Sequence, residues 1–194
     1  GWNALAKRVF DIAGALLLLL ILGIPMLIVA VAIKLTSSGP VLFRQERMGL
    51  GGRPFNILKF RSMRADAEEG TGPVFAHEND PRRTRLGVFL RRTSFDELPQ
   101  LINVLRGDMS LIGPRPERPF FVQQFSRELP AYMLRHNVKA GITSWAQVNG
   151  LRGQTSIRKR LQYDLYYINN WSLAFDVAIL LLTPFSGVMH KHAH

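Results

Sequence analysis

Cysteine is absent from the 194 residues, which excludes disulfide frameworks, thiol nucleophiles and Cys-based zinc sites and fits a reducing compartment. Acidic residues are few: 14 Asp and Glu stand against 25 Lys and Arg, for a formal charge of +11. That surplus favours phosphate-bearing partners, whether nucleic acid, anionic headgroups or nucleotide substrates, and does not by itself choose among them. An internal repeat is also lacking, as is an initiating Met, and the opening Gly1-Trp2 is expected either of a fragment of a longer chain or of residues added for expression. The His190 to His194 ending reads as a solvated tail rather than a metal site.

Charge is missing altogether from Ile12 to Ile33, where nearly every residue is aliphatic. At ~1.5 Å per residue, a straight helix of that length crosses a bilayer core of ~30 Å. The run is too long for a signal peptide and has no small-residue cleavage site. Pro25 near its centre cannot donate to the Ile21 carbonyl, so a kink is expected. Lys7 and Arg8 precede the run and Lys34, Arg44 and Arg47 follow it, so the positive-inside rule gives no orientation. Two placements stay open on these residues: a kinked spanning helix, and a helix–break–helix that enters and leaves by one face.

Beyond a Ser37-Ser38-Gly39-Pro40 turn, residues 41–47 and 55–61 flank a Gly-rich stretch and read as a β-hairpin. Within it Lys59 and Arg61 alternate with Leu58 and Phe60, placing the cations on one face. Residues 64–84 read as a polar loop with a short helix around 65–69. Leu98, Leu101, Ile102 and Leu105 recur at helical spacing, with Gly107 as a stop. Residues 108–119 read as irregular, Phe120 to Phe125 and slightly beyond as helix, and Gly141 to Gly150 as extended. Ser156 to Asn169 is expected to be helical, basic on one side and aromatic on the other. Leu173 to Leu182 forms an apolar helix expected to break at Pro184, too short to span and suited to the core or the membrane interface beside Trp171.

Thr93-Ser94-Phe95-Asp96-Glu97-Leu98-Pro99 places two adjacent carboxylates at a helix start, just after Arg91 and Arg92. Ser94 and Glu97 have capping-box spacing, and acidic residues there also suit the helix macrodipole. The same position would keep Asp96 ionised as a nucleophile, attract phosphate to free N–H groups and let two acids hold Mg²⁺. The segment alone leaves both readings open.

Ordered motifs along the chain change that balance. They include Lys7 to Asp11, Ser38 to Val41, Phe43-Arg44-Gln45, Lys59-Phe60-Arg61-Ser62-Met63 and Arg91 to Leu101. Asn103 to Ser110, Gly113-Pro114-Arg115-Pro116, Gly141 to Gly150 and Tyr163 to Tyr167 follow. Over almost its whole length the chain resembles the bacterial sugar transferases, monotopic polyprenol-phosphate phosphoglycosyl transferases. The resemblance implies that Asp96 is a nucleophile toward the β-phosphorus of a UDP-sugar, expelling UMP, and that Glu97 is its partner, engaged with Mg²⁺ or with positioning the acceptor, the metal residues being Asp96 and Glu97. Polyprenyl phosphate would then take the phosphosugar, initiating exopolysaccharide, O-antigen or capsule assembly. Lys59, Arg91 and Arg115 match basic family positions, and Arg61, in the Lys59 motif, joins them as an expected phosphate ligand. The family's apolar segment is re-entrant, which tips the choice toward a break at Pro25. Ser144 and Ala140 depart from the Pro-Gly-Ile-Thr-Gly-Trp pattern, and the ending after Pro184 departs from the usual tail.

The expected fold is α/β mixed and irregular: a re-entrant helix over residues 1–36, then a catalytic domain over 37–194 with a small hairpin sheet and amphipathic interfacial helices. Expected partners are a UDP-sugar (glucose or galactose, with N-acetylated sugars open), polyprenyl phosphate and the bilayer at the cytoplasmic face of the bacterial inner membrane. Nucleic acid is not expected, and a homodimer is left open. The rivals are a non-catalytic basic membrane-surface module, which gives no reason for Asp96-Glu97 between cations, and a multi-spanning transferase, which needs more membrane helices.

Overall fold

A computed structural model describes residues 1–64, 80–153 and 155–189, excepting the side chains of 187–189. The chain runs α1 (Trp2–Thr36), β1 (Leu42–Met48), β2 (Pro54–Phe60), α2 (Arg85–Thr93), α3 (Gln100–Arg106), β3 (Ser110–Ile112), α4 (Pro119–Glu128), β4 (Gly141–Thr143), α5 (Trp145–Val148), α6 (Ile157–Asn169) and α7 (Leu173–Met189). A 3-10 turn, Phe95–Glu97, links α2 to α3. The mixed, irregular α/β class is as expected. The expected helix at 65–69 and the His-rich ending lie outside the described residues.

Helix α1 is 35 residues long and continues through Pro25, so the expected break in the helix is not found. Proline deletes one hydrogen bond, and the aliphatic turns on either side carry the helix across the gap. Its start is tied to the rest of the chain by polar contacts. Lys7 Nζ donates to Asp176 of α7 (2.7 Å) and to the Ile112 carbonyl (3.1 Å). Arg8 donates to the Val104 and Leu105 carbonyls at 2.6 and 2.8 Å, satisfying the end of α3, where Gly107 adopts φ 95°. Buried Asp11 accepts from Ser110 Oγ (2.9 Å) and Leu111 N (3.0 Å). Ala15 then enters the main core with Ile57, Leu101, Val104, Leu111, Tyr167 and Ile179, so α1 belongs to the same body as the elements that follow. Its other end also returns to that body, where Ile33 packs with Phe60 and Leu90.

Strands β1 and β2 form the expected antiparallel hairpin, pairing Leu42 with Phe60 and Met48 with Pro54. The outer edge of β2 is occupied by a side chain. Asn103 Oδ1 accepts from Leu58 N (2.9 Å), and Asn103 Nδ2 donates to the Asn56 carbonyl (2.8 Å). This locks α3 alongside β2 and brings the segment before α3 next to Lys59.

Several elements differ from the sequence reading. A second sheet pairs β3, inside a stretch expected to be irregular, in parallel with β4, which opens the segment expected to be extended. Only residues 141–143 of the expected extended segment are strand; Ser144 then caps α5, its hydroxyl accepting from Gln147 N (3.1 Å). Helix α7 continues past Pro184, with Thr183 Oγ1 donating to the Ile179 carbonyl (2.8 Å) and Ser186 Oγ to the Thr183 carbonyl (2.8 Å). Helix α2 was not anticipated. Thr84 caps it by accepting from Gly87 N (2.9 Å).

The β3–β4 pairing requires bare backbone at Gly113 and Gly141. A Cβ on Gly141 would lie 2.1 Å from Gly113 N and 2.6 Å from both the Gly113 and Thr143 carbonyl oxygens. Gly141→Ala is therefore expected to destabilise the fold by ~3 kcal/mol or more. A chemical denaturation curve checks this, and a midpoint equal to wild type contradicts the packing described.

Candidate active site

Helix α2 carries the chain to the two acids. It lies so close to the second residue after β2 that a Cβ on Gly87 would sit 1.8 Å from the Ser62 carbonyl oxygen. At its end Arg91 Nε donates to Ser62 Oγ (2.9 Å). Ser94 then adopts a left-handed conformation, φ 58°, the one non-glycine positive φ among the described residues. Such a conformation costs an L-residue ~1–2 kcal/mol, and it turns the chain into the 3-10 segment bearing Asp96 and Glu97. The capping box that this spacing allows does not form. Ser94 makes no side-chain cap bond, and only its carbonyl accepts from Glu97 N at 3.2 Å.

The two acids have opposite surroundings. Glu97 Oε1 accepts from Lys59 Nζ of β2 (2.7 Å) and from Arg115 Nη2 (2.7 Å), while Oε2 accepts from Arg115 Nη1 (3.3 Å). Asp96 takes no hydrogen bond or ion pair among the described residues, although it is 7% exposed. Burial, reinforced by the Glu97 charge and only partly offset by Lys59, Arg91 and Arg115, pushes the Asp96 carboxyl up to about 6. Burial also works against ionised Glu97, but Arg115 and Lys59 outweigh it and hold that carboxyl well below its usual range. Glu97 in turn raises Arg115, whereas burial lowers Lys59 more than Glu97 restores it. One acid is thus locked as an anion between two cations, and its neighbour is left unengaged.

Three of the four expected phosphate ligands, Lys59, Arg91 and Arg115, are brought around the acid pair. Arg61 is not. Its guanidinium binds the Ser38 carbonyl, the Ser37 carbonyl (3.0 Å) and Ser37 Oγ (2.8 Å), closing the end of α1. Strand β2 stops at Phe60, so strand alternation no longer sets where residue 61 points.

Sequence reasoning passed over four residues. Arg135 donates to Asp164 (3.0 Å), to Tyr132 OH (2.8 Å) and to the Arg115 carbonyl (2.8 Å), fixing the loop that presents Arg115. Arg47 donates to the next carbonyl, Pro116 (3.1 Å), and lies 3.8 Å from Glu117. Arg152 donates to Ser186 Oγ (2.8 Å), and its pKa is lowered by burial and by Arg115 nearby. Gln100 lines a small recess together with Arg47, Lys59 and Arg115. Buried cations packed around one loop were the available signal, but their partners are distant in sequence.

No group of three or more His, Asp or Glu capable of holding a metal occurs among the described residues. Magnesium needs only one or two carboxylates when substrate phosphates complete its shell. Adjacent Asp96 and Glu97 therefore fit an ion that arrives with a diphosphate and do not make a closed protein cage.

The chain matches the family described as Bacterial sugar transferase over residues 2–190. A UDP-glucose:undecaprenyl-phosphate glucose-1-phosphate transferase of Escherichia coli K12 is 49% identical over 198 residues, covering 100% of this chain and 42% of the relative. A UDP-N-acetylgalactosamine-undecaprenyl-phosphate N-acetylgalactosaminephosphotransferase of Aeromonas hydrophila is 50% identical over 182 residues, covering 93% and 43%. A Caulobacter vibrioides UDP-glucose:undecaprenyl-phosphate glucose-1-phosphate transferase is 49% identical over 183 residues, covering 92% and 68%. The chain spans about two fifths of the length of the first two. With matched residues running from α1 to the end of α7, and with the acid pair and its cations inside them, this chain belongs to the bacterial sugar transferase family.

Proposed function

We propose that the chain transfers a hexose 1-phosphate from a UDP-sugar to polyprenyl phosphate, by way of a covalent intermediate on Asp96. The observation that carries this reading is the contrast between the acids: Glu97 is saturated by Lys59 and Arg115, while Asp96 is held among cations with its carboxylate unengaged. A structural acid pair would have both members bonded. A nucleophile needs a free lone pair in a field that tolerates an incoming anion.

Asp96 Oδ attacks the β-phosphorus as the bond from that phosphorus to the α,β-bridging oxygen breaks, and UMP leaves with the electron pair. An oxygen of polyprenyl phosphate then attacks the same phosphorus, the Asp96 O–P bond breaks, and the carboxylate is regenerated. Lys59, Arg91 and Arg115 offset the charge that gathers on the phosphoryl oxygens. Asp96 and Glu97 are the residues that would hold Mg²⁺ arriving with the diphosphate, and the ion would supply further charge neutralisation. The printed names of the relatives, which combine undecaprenyl phosphate with UDP-glucose or UDP-N-acetylgalactosamine, support this substrate class. The product would begin assembly of a surface glycan.

The membrane part of the reading is a re-entrant α1 at the cytoplasmic face of the inner membrane. Both ends of α1 pack on one body, through Lys7, Arg8 and Asp11 at the start and Ile33 at the end. A lone spanning helix would have its ends on opposite sides of the bilayer. Leu20, Ile21, Ile24, Leu27 and Ile28, around Pro25, are exposed and suit burial in lipid. Exposed Leu181, Leu182 and Phe185 on α7, and Val88 and Phe89 on α2, suit contact at the interface.

The function is tested by UMP release from a panel of UDP-sugars with polyprenyl phosphate and Mg²⁺. Release that depends on one sugar supports the reading, and none with any sugar contradicts it. Because the attacking form of Asp96 is the carboxylate and its pKa is pushed up to about 6, kcat/KM should fall about tenfold per pH unit below that point. A profile that stays flat from pH 5 to 8 counts against the assignment.

A further inference from the structure

Gln100 opens α3, one helical turn after Asp96, and is 2% exposed. Its Nε2 has no hydrogen-bond partner among the described residues. An unbonded amide donor away from water is destabilising, and a core that needed only volume here would use an apolar side chain. The residue lines the recess shared by Lys59 and Arg115, the two cations on Glu97, beside Ile57 and Pro116. We infer that the Gln100 side-chain amide donates to a phosphoryl oxygen of the UDP-sugar, making it a substrate-binding residue and a neutral complement to the cations.

The surroundings select that acceptor. Lys59 and Arg115 attract phosphate, and the backbone of the loop carrying Arg115 and Pro116 is anchored through the Arg115 and Pro116 carbonyls by Arg135 and Arg47. A diphosphate that draws Arg115 and Lys59 from Glu97 onto its own oxygens uncovers the amide. A neutral N–H donor then reaches a phosphoryl oxygen beside those taken by the two cations. The amide thus stays unpaired in the free protein and is bonded when donor substrate is present.

This inference rests on the function proposed above, and the test separates the two. Gln100→Met keeps the volume and removes the donor; Gln100→Glu keeps the shape and replaces the donor with an acceptor. Each full-length variant is compared with wild type for melting temperature, for UMP-release kinetics and for affinity toward UDP and uridine. Gln100→Met is expected to melt at or above the wild-type temperature, to lose about tenfold or more in kcat/KM for UDP-sugar, and to weaken for UDP with uridine unchanged. Gln100→Glu is expected to lose more. Wild-type turnover with unchanged kinetics and UDP affinity in both variants overturns the inference and leaves the proposed function standing. Lower melting temperatures in both variants, marking a purely structural amide, or an equal loss for uridine, overturn it as well. Absence of turnover in the wild type instead removes the proposed function.

Discussion

Asp96→Asn is expected to lower UMP release by at least about a thousandfold while making the protein more stable. The amide keeps the size of the side chain but is not a nucleophile, so no phosphosugar ester forms, and the remaining cations can only bind substrate. The gain in stability follows from the raised pKa. Asp96 ordinarily titrates near 3.8 and in the folded protein near 6, so the native state holds more protons than the unfolded chain between those values. Stability is therefore highest below the lower value and is lost as pH rises through about 6, after which the buried carboxylate costs up to about 3 kcal/mol. Asparagine, neutral at every pH, removes that cost and the associated pH dependence. Thermal melts of both proteins at pH 5 and pH 8 check this: the stability difference at pH 5 should be about half that at pH 8. A variant that melts lower than wild type at pH 8 contradicts the environment assigned to Asp96.

Asp164→Leu is expected to have the largest effect on stability, about 3–5 kcal/mol, because it leaves the Arg135 guanidinium buried without its counterion. Arg135 and Asp164 are both nearly inaccessible and lie 2.8 Å apart. Arg135 also donates to the Arg115 carbonyl, so its displacement releases the loop that aims Arg115 at Glu97. Loss of activity should thus exceed what the unfolded fraction explains. Replacing both partners, Arg135→Met with Asp164→Leu, should recover much of the stability without restoring kcat. Chemical denaturation with parallel kinetics measures both, and a double variant with wild-type kcat would falsify the positioning role of Arg135.

Where local pattern sets structure, the sequence was informative. Alternation across 41–61 around a Gly-rich turn located the hairpin, and Leu98, Leu101, Ile102 and Leu105 with Gly107 located α3. The acid pair and three of its cations were named from motifs, and the structure gathers them. Features governed by distant contacts were not legible. Strands β3 and β4 have three residues each, too short to show a period, and they pair across α4. The prolines of α1 and α7 read as breaks because local chemistry says so, yet both helices continue through them, with Ile33 and Ile179 buried in tertiary clusters. Ser94 gave no warning of a left-handed backbone, since glycine is the usual marker there. Arg61 was misplaced because a strand end does not show in alternation.

The central claim is that a carboxylate and a phosphosugar share a covalent bond during the reaction. Intact-protein mass spectrometry after mixing with UDP-sugar and Mg²⁺, before any polyprenyl phosphate is added, tests it directly. The account predicts a hexose-phosphate adduct that maps to the peptide containing Asp96, is absent from Asp96→Asn and disappears when polyprenyl phosphate is supplied. Steady turnover by the wild type with no adduct at any time, or an adduct on another residue, would contradict it.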